Sequence, residues 1–485
     1  MELHVPITGS SDLAGQVYRA IAAAIRDGRL RQGQQLPPSR LLAEQLGISR
    51  KPVAEAYARL GFDRLVEGRI GKGSFVCAPV STAGPAAAAG GGADALAANA
   101  TLAYWRDLHT PLRHAMPEGS SRFEFIGGMP APAHFPHDEW RRCTLAALRK
   151  NNGTLGRYGP TEGVAALREA IARHIGFSRG VRCGAGAGSV VVTNGAQQGF
   201  DLLARLVLAP GDVVAMEDPG YPMARLLFAG LGATVASVAV DEEGMLVDQI
   251  PAQAKLIYTT PAHQFPLGMP MSQRRREQLL ARALAIGALV IEDDYDSEFR
   301  YEGRPTDSLQ SMDTHGVVAF VGSFSKVMLP ELRMGYVVAP PALLQALLAA
   351  KHVFDWHSPA AVQYALARFI DDGLLQKHIR RGHDIYAGRR DALIAHFAGP
   401  LSRWFQLVPA TAGFHMAALA KPDIDLDIRL LQTLARRADV GLYALADFYT
   451  RPPPQSGLFL GFGAIDTLDI GTALERVRAI LGEMA

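Results

Sequence analysis

VGSFSKVMLPELRMGY, Val321–Tyr336, decides the fold of most of this chain. It opens as a β-like run, and its polar residues sit at set intervals. Ser323 precedes Lys326 by three positions, and Arg333 follows it by seven. A buried lysine can form a Schiff base with an aldehyde cofactor. A serine hydroxyl and an arginine fork suit a phosphate dianion. Ser-x-x-Lys alone is common, so the reading rests on what else the chain carries.

Three other stretches carry matching chemistry. In LVIEDDYDSEF (289–299), Asp293 and Tyr295 stand two apart on an expected strand, so both point to one face, and Asp294 to the other. An acid facing a pyridine nitrogen keeps it protonated and makes the ring an electron sink, and a phenol beside it can bond a ring hydroxyl. Without Lys326, the better reading of Glu292–Asp294 is a strand ending in a solvated acidic loop. In TNGAQQGF (193–200), a glycine turn enters a helix, so the N–H groups of Gly195, Ala196 and Gln197 face a phosphate with the helix dipole behind them. In EDPGYP (217–222), Tyr221 is placed to stack on a ring, although an aromatic at a strand end is more often core.

Between these stretches the chain alternates β-like and helical segments over about 200 residues, which predicts an α/β body with a largely parallel sheet. Beyond Pro340 helices take over, followed by a mixed C-terminal part. Residues 79–100, PVSTAGPAAAAGGGADALAANA, read as a linker, flexible at the glycines and helix-prone at the Ala-rich end. The expected organisation is a head over 1–78, a linker over 79–122 and a body over 123–485.

The head contains LPPSRLLAEQLGISRKPVAEAY (36–57). Leu13, Val17, Ile21 and Ile25 form one stripe of a first helix that Gly28 stops. Ser39–Leu46 make a second helix, Gly47-Ile48 a turn, and Ser49 an N-cap for a third helix carrying Val53, Tyr57 and Leu60. Leu65-Val66 and Ser74–Val76 flank Gly71-Lys72-Gly73 as a hairpin. Three helices and a hairpin make a winged helix-turn-helix, whose second motif helix leads into the major groove. Arg50 can fork to a guanine or phosphate and Lys51 can meet a phosphate. Pro52 is tolerable in a first helical turn. Arg40 can clamp the backbone, and Lys72 can approach it from the wing tip. The competing reading is a solvated basic face on a small helical subdomain.

Composition limits the alternatives. Hydrophobic content is 48% and charged content 20%, which excludes disordered and fibrous classes. Net charge is only +2, but residues 1–78 hold 11 Lys/Arg against 7 Asp/Glu, a small basic head. The three cysteines, Cys77, Cys143 and Cys183, are scattered and form no metal or disulfide pattern. There is no signal-like N-terminus and no apolar run near the ~20 residues of a membrane helix. The expectation is a cytoplasmic protein with no bound metal.

The head resembles the GntR-family winged helix, from AIRDGRLRQGQQLPPSRLLAEQLGISRKPVAEAYARL to the wing GRIGKGSFV. That resemblance implies DNA contacts at Arg40, Ser49, Arg50, Lys51, Gly71 and Lys72, with Pro52 where the family has Thr or Ser. From Phe123 onward the chain resembles fold-type-I aminotransferases, which bind pyridoxal 5'-phosphate. The resemblance implies Lys326 as the Schiff-base lysine, Asp293 against the pyridine nitrogen and Tyr295 against the 3-hydroxyl. It implies Tyr221 stacked on the ring, and Ser323, Arg333 and the Gly195–Ala196–Gln197 turn on the phosphate. Tyr158, in RYGPTEGVAALREAI, matches a tyrosine that reaches the partner subunit's phosphate, which implies a homodimer. The family's Asn-Pro-x-Asn-Pro loop reads TPAHQFPLG, leaving His263 and Gln264 as alternatives for its asparagine.

The order of parts resembles the MocR/GabR subfamily of GntR regulators. It implies a DNA-binding transcriptional regulator that senses a small amine or amino compound through a cofactor-holding, aminotransferase-like body. The alternative is an active aminotransferase with an accessory DNA-binding head; a third reading is a body that has lost its cofactor and only dimerises. In related enzymes an arginine near the C-terminus holds the substrate carboxylate. The corresponding SGLFLGFG (456–463) contains none, leaving Arg225 and Arg451 as substitutes. The expectation is poor transamination of ordinary α-amino acids, and an effector with a displaced acid group or no carboxylate, the cofactor itself included.

Overall fold

The computed structural model describes residues 7, 9, 11–69, 71–77, 99–108, 121–149, 157–302 and 307–484. The chain divides into two compact units, Met1–Asn99 and Ala100–Ala485.

In the first unit, helices Leu13–Arg26, Ser39–Gln45 and Arg50–Phe62 precede strands β1 (Val66–Arg69) and β2 (Gly73–Val76). Asp12 caps the first helix by accepting from the Gly15 N–H. The four-residue stripe turns inward: Val17, Ile21 and Ile25 are buried with Leu42, Val53, Leu60, Val66 and Val76, while Leu13 is half-buried. β1 and β2 pair antiparallel from Val66↔Val76 to Arg69↔Gly73, so the wing tip falls at Gly71-Lys72. This is a winged helix-turn-helix.

The second unit opens with helix Ala100–Asp107, inside the segment read as linker. The Tyr104 hydroxyl fastens it by donating to the Leu226 carbonyl at 2.7 Å. The rest of that segment, 79–98 and 109–120, lies outside the described residues. A short strand, β3 (Phe123–Glu124), follows. The main sheet holds β4 (Val190–Thr193), β5 (Val213–Asp218), β6 (Thr234–Asp241), β7 (Gly244–Met245), β8 (Ala254–Thr259), β9 (Leu289–Asp294), β10 (Val318–Ser323) and β11 (Gly335–Val338), in the order β4-β11-β10-β9-β8-β5-β6-β7. Its centre is parallel, as expected. β11 runs against both β4 and β10, and β7 against β6. β11 follows β10 by a short connection, which can only return antiparallel.

The strands read as nearly unbroken apolar runs because helices cover both faces. In β4, Val191 packs with Phe200, Phe228 and Leu347. Val190 and Val192 turn to the opposite layer with Leu167, Ile171 and Leu366. Helices Pro341–Asp355, Ala360–Asp371 and Leu374–Ala398 lead into the C-terminal part. There lie β12 (Phe405–Leu407), β13 (His415–Ala420), β14 (Val440–Gly441), β15 (Tyr443–Ala444) and β16 (Gly457–Gly461). Four form a second sheet ordered β12-β13-β16-β15, and β14 pairs with β3. The C-terminal ends of β4, β5, β8, β9 and β10 converge on one cavity, the usual place for a ligand in such a sheet.

Candidate functional site

The cavity holds about 350 Å³. Ala196, Gln197, Tyr221, Asp293, Tyr295, Ser323, Lys326 and Arg333 all line it. These residues come from four separate segments at strand ends and the turns after them, so the strand order assembles what the sequence spreads over more than a hundred positions.

Lys326 leaves the end of β10, and its Nζ donates to the Gly128 carbonyl at 2.7 Å. Burial brings this amine down to about 8, against the pull of Asp296 and Asp293 in the other direction. Asp293 sits on β9 opposite Val321 of β10. Its Oδ2 accepts from the Tyr258 hydroxyl at 2.5 Å. Its Oδ1 is buried without a partner. Burial pushes this carboxyl up to about 7, the Tyr258 bond opposing. A bare, buried carboxylate oxygen on a cavity wall fits a cationic N–H donor.

Strand β9 ends at Asp294, so Tyr295 lies one residue beyond it, not within it as expected. Asp294 turns away and pairs with the buried Arg179 at 2.7 Å. Tyr295 still lines the cavity, and its hydroxyl donates to the His263 carbonyl at 2.9 Å.

The phosphate-like end is built on the turn before helix Ala196–Val207. Gly195 has φ 83 and ψ 167, and no side chain caps the helix, whose first N–H groups have no intrahelical partner. A Cβ on Gly195 would stand 2.7 Å from Arg333 Nη2, so only glycine admits the guanidinium there. Arg333 itself donates to the Asn194 carbonyl at 3.3 Å. Ser323 Oγ accepts from the Ser325 N–H at 3.0 Å. Behind the turn, Asp355 accepts from Asn194 Nδ2 at 2.7 Å and Gln198 Nε2 at 2.8 Å and pairs with the fully buried Lys351 at 2.9 Å.

Other expected residues stand elsewhere. Neither His263 nor Gln264 lines the cavity. Gln264 is spent inside its loop, donating to the Pro219 and Phe265 carbonyls and accepting from the Leu267 N–H. His263 touches the site through Tyr295. Tyr158 is 76% exposed and packs at a tilt against Trp356 with ring centroids 4.2 Å apart, outside the cavity of its own chain. Arg225 is tied to Asp218 and the Phe448 carbonyl, and Arg451 is exposed. Among the described residues, Lys326 and Arg333 are the only lysine or arginine side chains on the cavity wall.

Tyr258, Asp296, His415 and Gly128 were not among the residues expected from the sequence, and Phe459 was weighed only as standing where an arginine is absent. The glycine pair in FIGGMP was the available signal. A Cβ on Gly127 would collide with the Phe459 ring, and Gly128 has φ 72. That close passage lays the Gly128 carbonyl over Lys326.

On the first unit, Arg40, Ser49, Arg50, Lys51, Gly71 and Lys72 are all exposed. Arg50 Nε donates to Ser39 Oγ at 3.2 Å. Ser49 occupies the N-cap position but makes no side-chain cap bond. Pro52, at the third helical position, lacks one of the two N–H groups such a cap uses. Gln35 Nε2 donates to the Lys72 carbonyl at 2.6 Å and braces the wing tip.

Residues 13–76 match bacterial regulatory proteins of the gntR family, and residues 132–451 match aminotransferase class I and II. The probable rhizopine catabolism regulatory protein MocR of Rhizobium meliloti is 32% identical over 467 residues, 96% of this chain and 92% of its own. The chain belongs to the MocR/GabR subfamily of GntR regulators. The HTH-type transcriptional regulator TauR of Rhodobacter capsulatus is 36% identical over 393 residues, 79% of each chain. The crystal structure of kynurenine aminotransferase from Pyrococcus horikoshii, in complex with PMP, superposes with a TM-score of 0.69 at 28% identity, covering 75% of this chain and 92% of that one. The regulator is therefore a DNA-binding transcription factor whose body has the fold-type-I aminotransferase fold, and its cofactor is pyridoxal 5'-phosphate. The cavity fits that group on its own evidence: an orphaned Asp293 oxygen for a protonated ring nitrogen, and a glycine-lined helix start beside Arg333 for a phosphate. No helix among the described residues is long and apolar enough to cross a membrane.

Proposed function

We propose that this regulator senses a small amine through Lys326 and reports it by changed DNA binding. The observation that carries the reading is the cavity itself. A basic amine, the orphaned oxygen of Asp293 and a phosphate cradle share it, in a chain whose other unit is a winged helix with exposed Arg50, Lys51 and Lys72. When bound, pyridoxal phosphate supplies an aldehyde carbon that exchanges one amine for another and a ring that withdraws electrons. Lys326 holds that carbon, its amine kept partly uncharged near neutral pH by burial. Asp293 keeps the ring nitrogen protonated, and Tyr258 holds Asp293 in place. Tyr221 lines the cavity beside the ring. The Ala196 and Gln197 N–H groups, Ser323 and Arg333 hold the phosphate.

Phe265, Phe414 and Phe459 line part of the remaining wall, beside Asp296 and His415. A carboxylate gains most from a bidentate guanidinium, and these rings offer none. An α-amino acid therefore lacks its orienting contact, and positioning supplies much of catalysis. This favours sensing over transamination, and an effector whose acid group is displaced or missing. The exposed Tyr158–Trp356 pair supports a homodimer in which Tyr158 reaches the partner subunit's phosphate, and paired heads would read paired half-sites. A DNA-binding head that works on the genome supports a cytoplasmic location.

The test mixes cofactor-loaded protein with amines and α-amino acids and follows the visible band and DNA binding together. Selected amines should shift both in the wild type, and Lys326→Ala should abolish the band and the response while keeping DNA binding. Repeated turnover of α-amino acids with a keto acid would instead make it an aminotransferase.

A further inference from the structure

Beneath the cavity lies a charge that the cofactor reading leaves unused. Asp296 lines the wall and is 1% exposed. Its Oδ1 accepts from His263 Nδ1 at 2.8 Å. Its Oδ2 is buried without a hydrogen bond, and His415 Nδ1 stands 3.9 Å from it. Among the described residues no arginine or lysine pairs with this carboxylate. The two imidazoles pack against each other with centroids 4.4 Å apart. Gly413, at φ 74, closes the arrangement, because a Cβ there would collide with both Asp296 Oδ2 and the His263 ring. The acid is thus held in place with one buried oxygen still unbonded. A buried carboxylate oxygen in that state is costly, so a cation that arrives intermittently is its natural complement.

We propose that Asp296, clamped by His263 and His415, is the counter-charge reserved for the Lys326 amine, and sets the pH range over which that nitrogen carries its proton. The proposal rests on the reading that Lys326 holds the cofactor. Charge matching supports it. Two acids act on Lys326, Asp296 and Asp293, and Arg333 opposes them. Asp293 is matched to the ring nitrogen by its orphaned oxygen. That leaves Asp296 for the lysine. The imidazoles do not compete for the role. His415 is held neutral by burial and by the neighbouring His263 and Lys326. His263 directs its Nδ1 at Asp296, with the Tyr295 hydroxyl 3.1 Å from the same nitrogen. Tyr295 stays protonated, its phenol pushed up by burial and by Asp296 and Asp293. Tyr221 and Tyr301 are likewise pushed up, burial first, and burial, with Asp294 and Asp296 adding to it, pushes the Glu298 carboxyl up to about 8. Asp296 is therefore a positioning residue that acts on the lysine through charge.

The test is a pH titration of the visible absorbance of the holo-protein, loaded with pyridoxal phosphate, at low and high salt. A negative charge beside the lysine nitrogen favours its protonated form, so removing it lowers the midpoint. Asp296→Asn should lower it by about one pH unit or more, and Asp296→Glu should restore it toward wild type. The wild-type midpoint should ignore salt, because a buried pair is screened little. This second arm needs no variant to fold. An unmoved midpoint in Asp296→Asn, or a wild-type midpoint that drifts with salt, overturns the proposal. A band that persists in Lys326→Ala instead overturns the cofactor reading beneath it, so the two failures are separable.

Discussion

Gly195→Ala tests the phosphate cradle more sharply than removing any of its charges. The residue sits at φ 83 and ψ 167, a region open essentially to glycine alone. Forcing alanine there costs ~1–3 kcal/mol of stability. The new Cβ would also stand 2.7 Å from Arg333 Nη2 and 3.1 Å from Cζ, inside van der Waals contact. The guanidinium is the far end of a flexible side chain, so it yields and leaves the cradle. A hydrogen bond to a charged group is worth ~1.5–3 kcal/mol, and 1.4 kcal/mol is a factor of ten. Cofactor affinity should therefore fall ~10–100-fold. Gly287→Ala is the matched control. It caps the helix Gln273–Ile286 at φ 66, and its Cβ would meet nothing within 4 Å. It should cost ~1–2 kcal/mol of stability and leave cofactor binding alone. Titrating apo-protein with pyridoxal phosphate, beside melting curves of both variants, separates the effects. Wild-type affinity in a folded Gly195→Ala protein would refute the reasoning, and so would equal loss in Gly287→Ala.

The remaining predictions concern the head, the brace and the acid. Arg50→Ala should weaken specific operator binding by ~1–3 kcal/mol, and Lys72→Ala should weaken binding to all sequences and reduce the salt slope by ~1; titrations at several salt concentrations check both. Asp355→Asn leaves the buried Lys351 without its charge partner and loosens the Asn194 turn, so the apo-protein should lose ~3 kcal/mol and bind cofactor less tightly, read by melting and titration. The folded carboxyl of Asp293 lies at about 7, above its unfolded range near ~3.9. Its proton therefore stabilises the apo-protein at low pH, and that contribution is lost as pH rises from about 4 through about 7. Asp293→Asn should gain on wild-type apo-protein across that window in melting temperature, a gain that cofactor binding reverses.

The parallel core of the sheet was legible because strands buried on both faces are long apolar runs, and the Lys326 segment because its spacing brings three polar groups onto one loop. β6 escaped notice, since TVASVAVD is only half-buried and reads as weak alternation. β11 hid in RMGYVV, where nothing local says which way the strand runs. Asp293 and Tyr295 were found through neighbours in sequence. Asp296, His415 and Tyr258 were not, because their roles depend on pairings across loops far apart in the chain. That neither His263 nor Gln264 lines the cavity, and that Gln264 is bonded to the Pro219 and Phe265 carbonyls, depends on hydrogen bonds that only coordinates supply. The cap expected at Ser49 is not made: Pro52 removes one of the N–H groups it could hold, and the Ser49 side chain does not take the neighbouring one.

The most direct test of the account is borohydride reduction of the cofactor-loaded protein, followed by digestion and mass spectrometry. The reduced pyridoxyl group should sit on the peptide carrying Lys326, and adding an amine that shifts DNA binding should diminish that label. Labelling of another lysine, or a label on Lys326 unaffected by such an amine, would contradict the claim that this residue is the sensor.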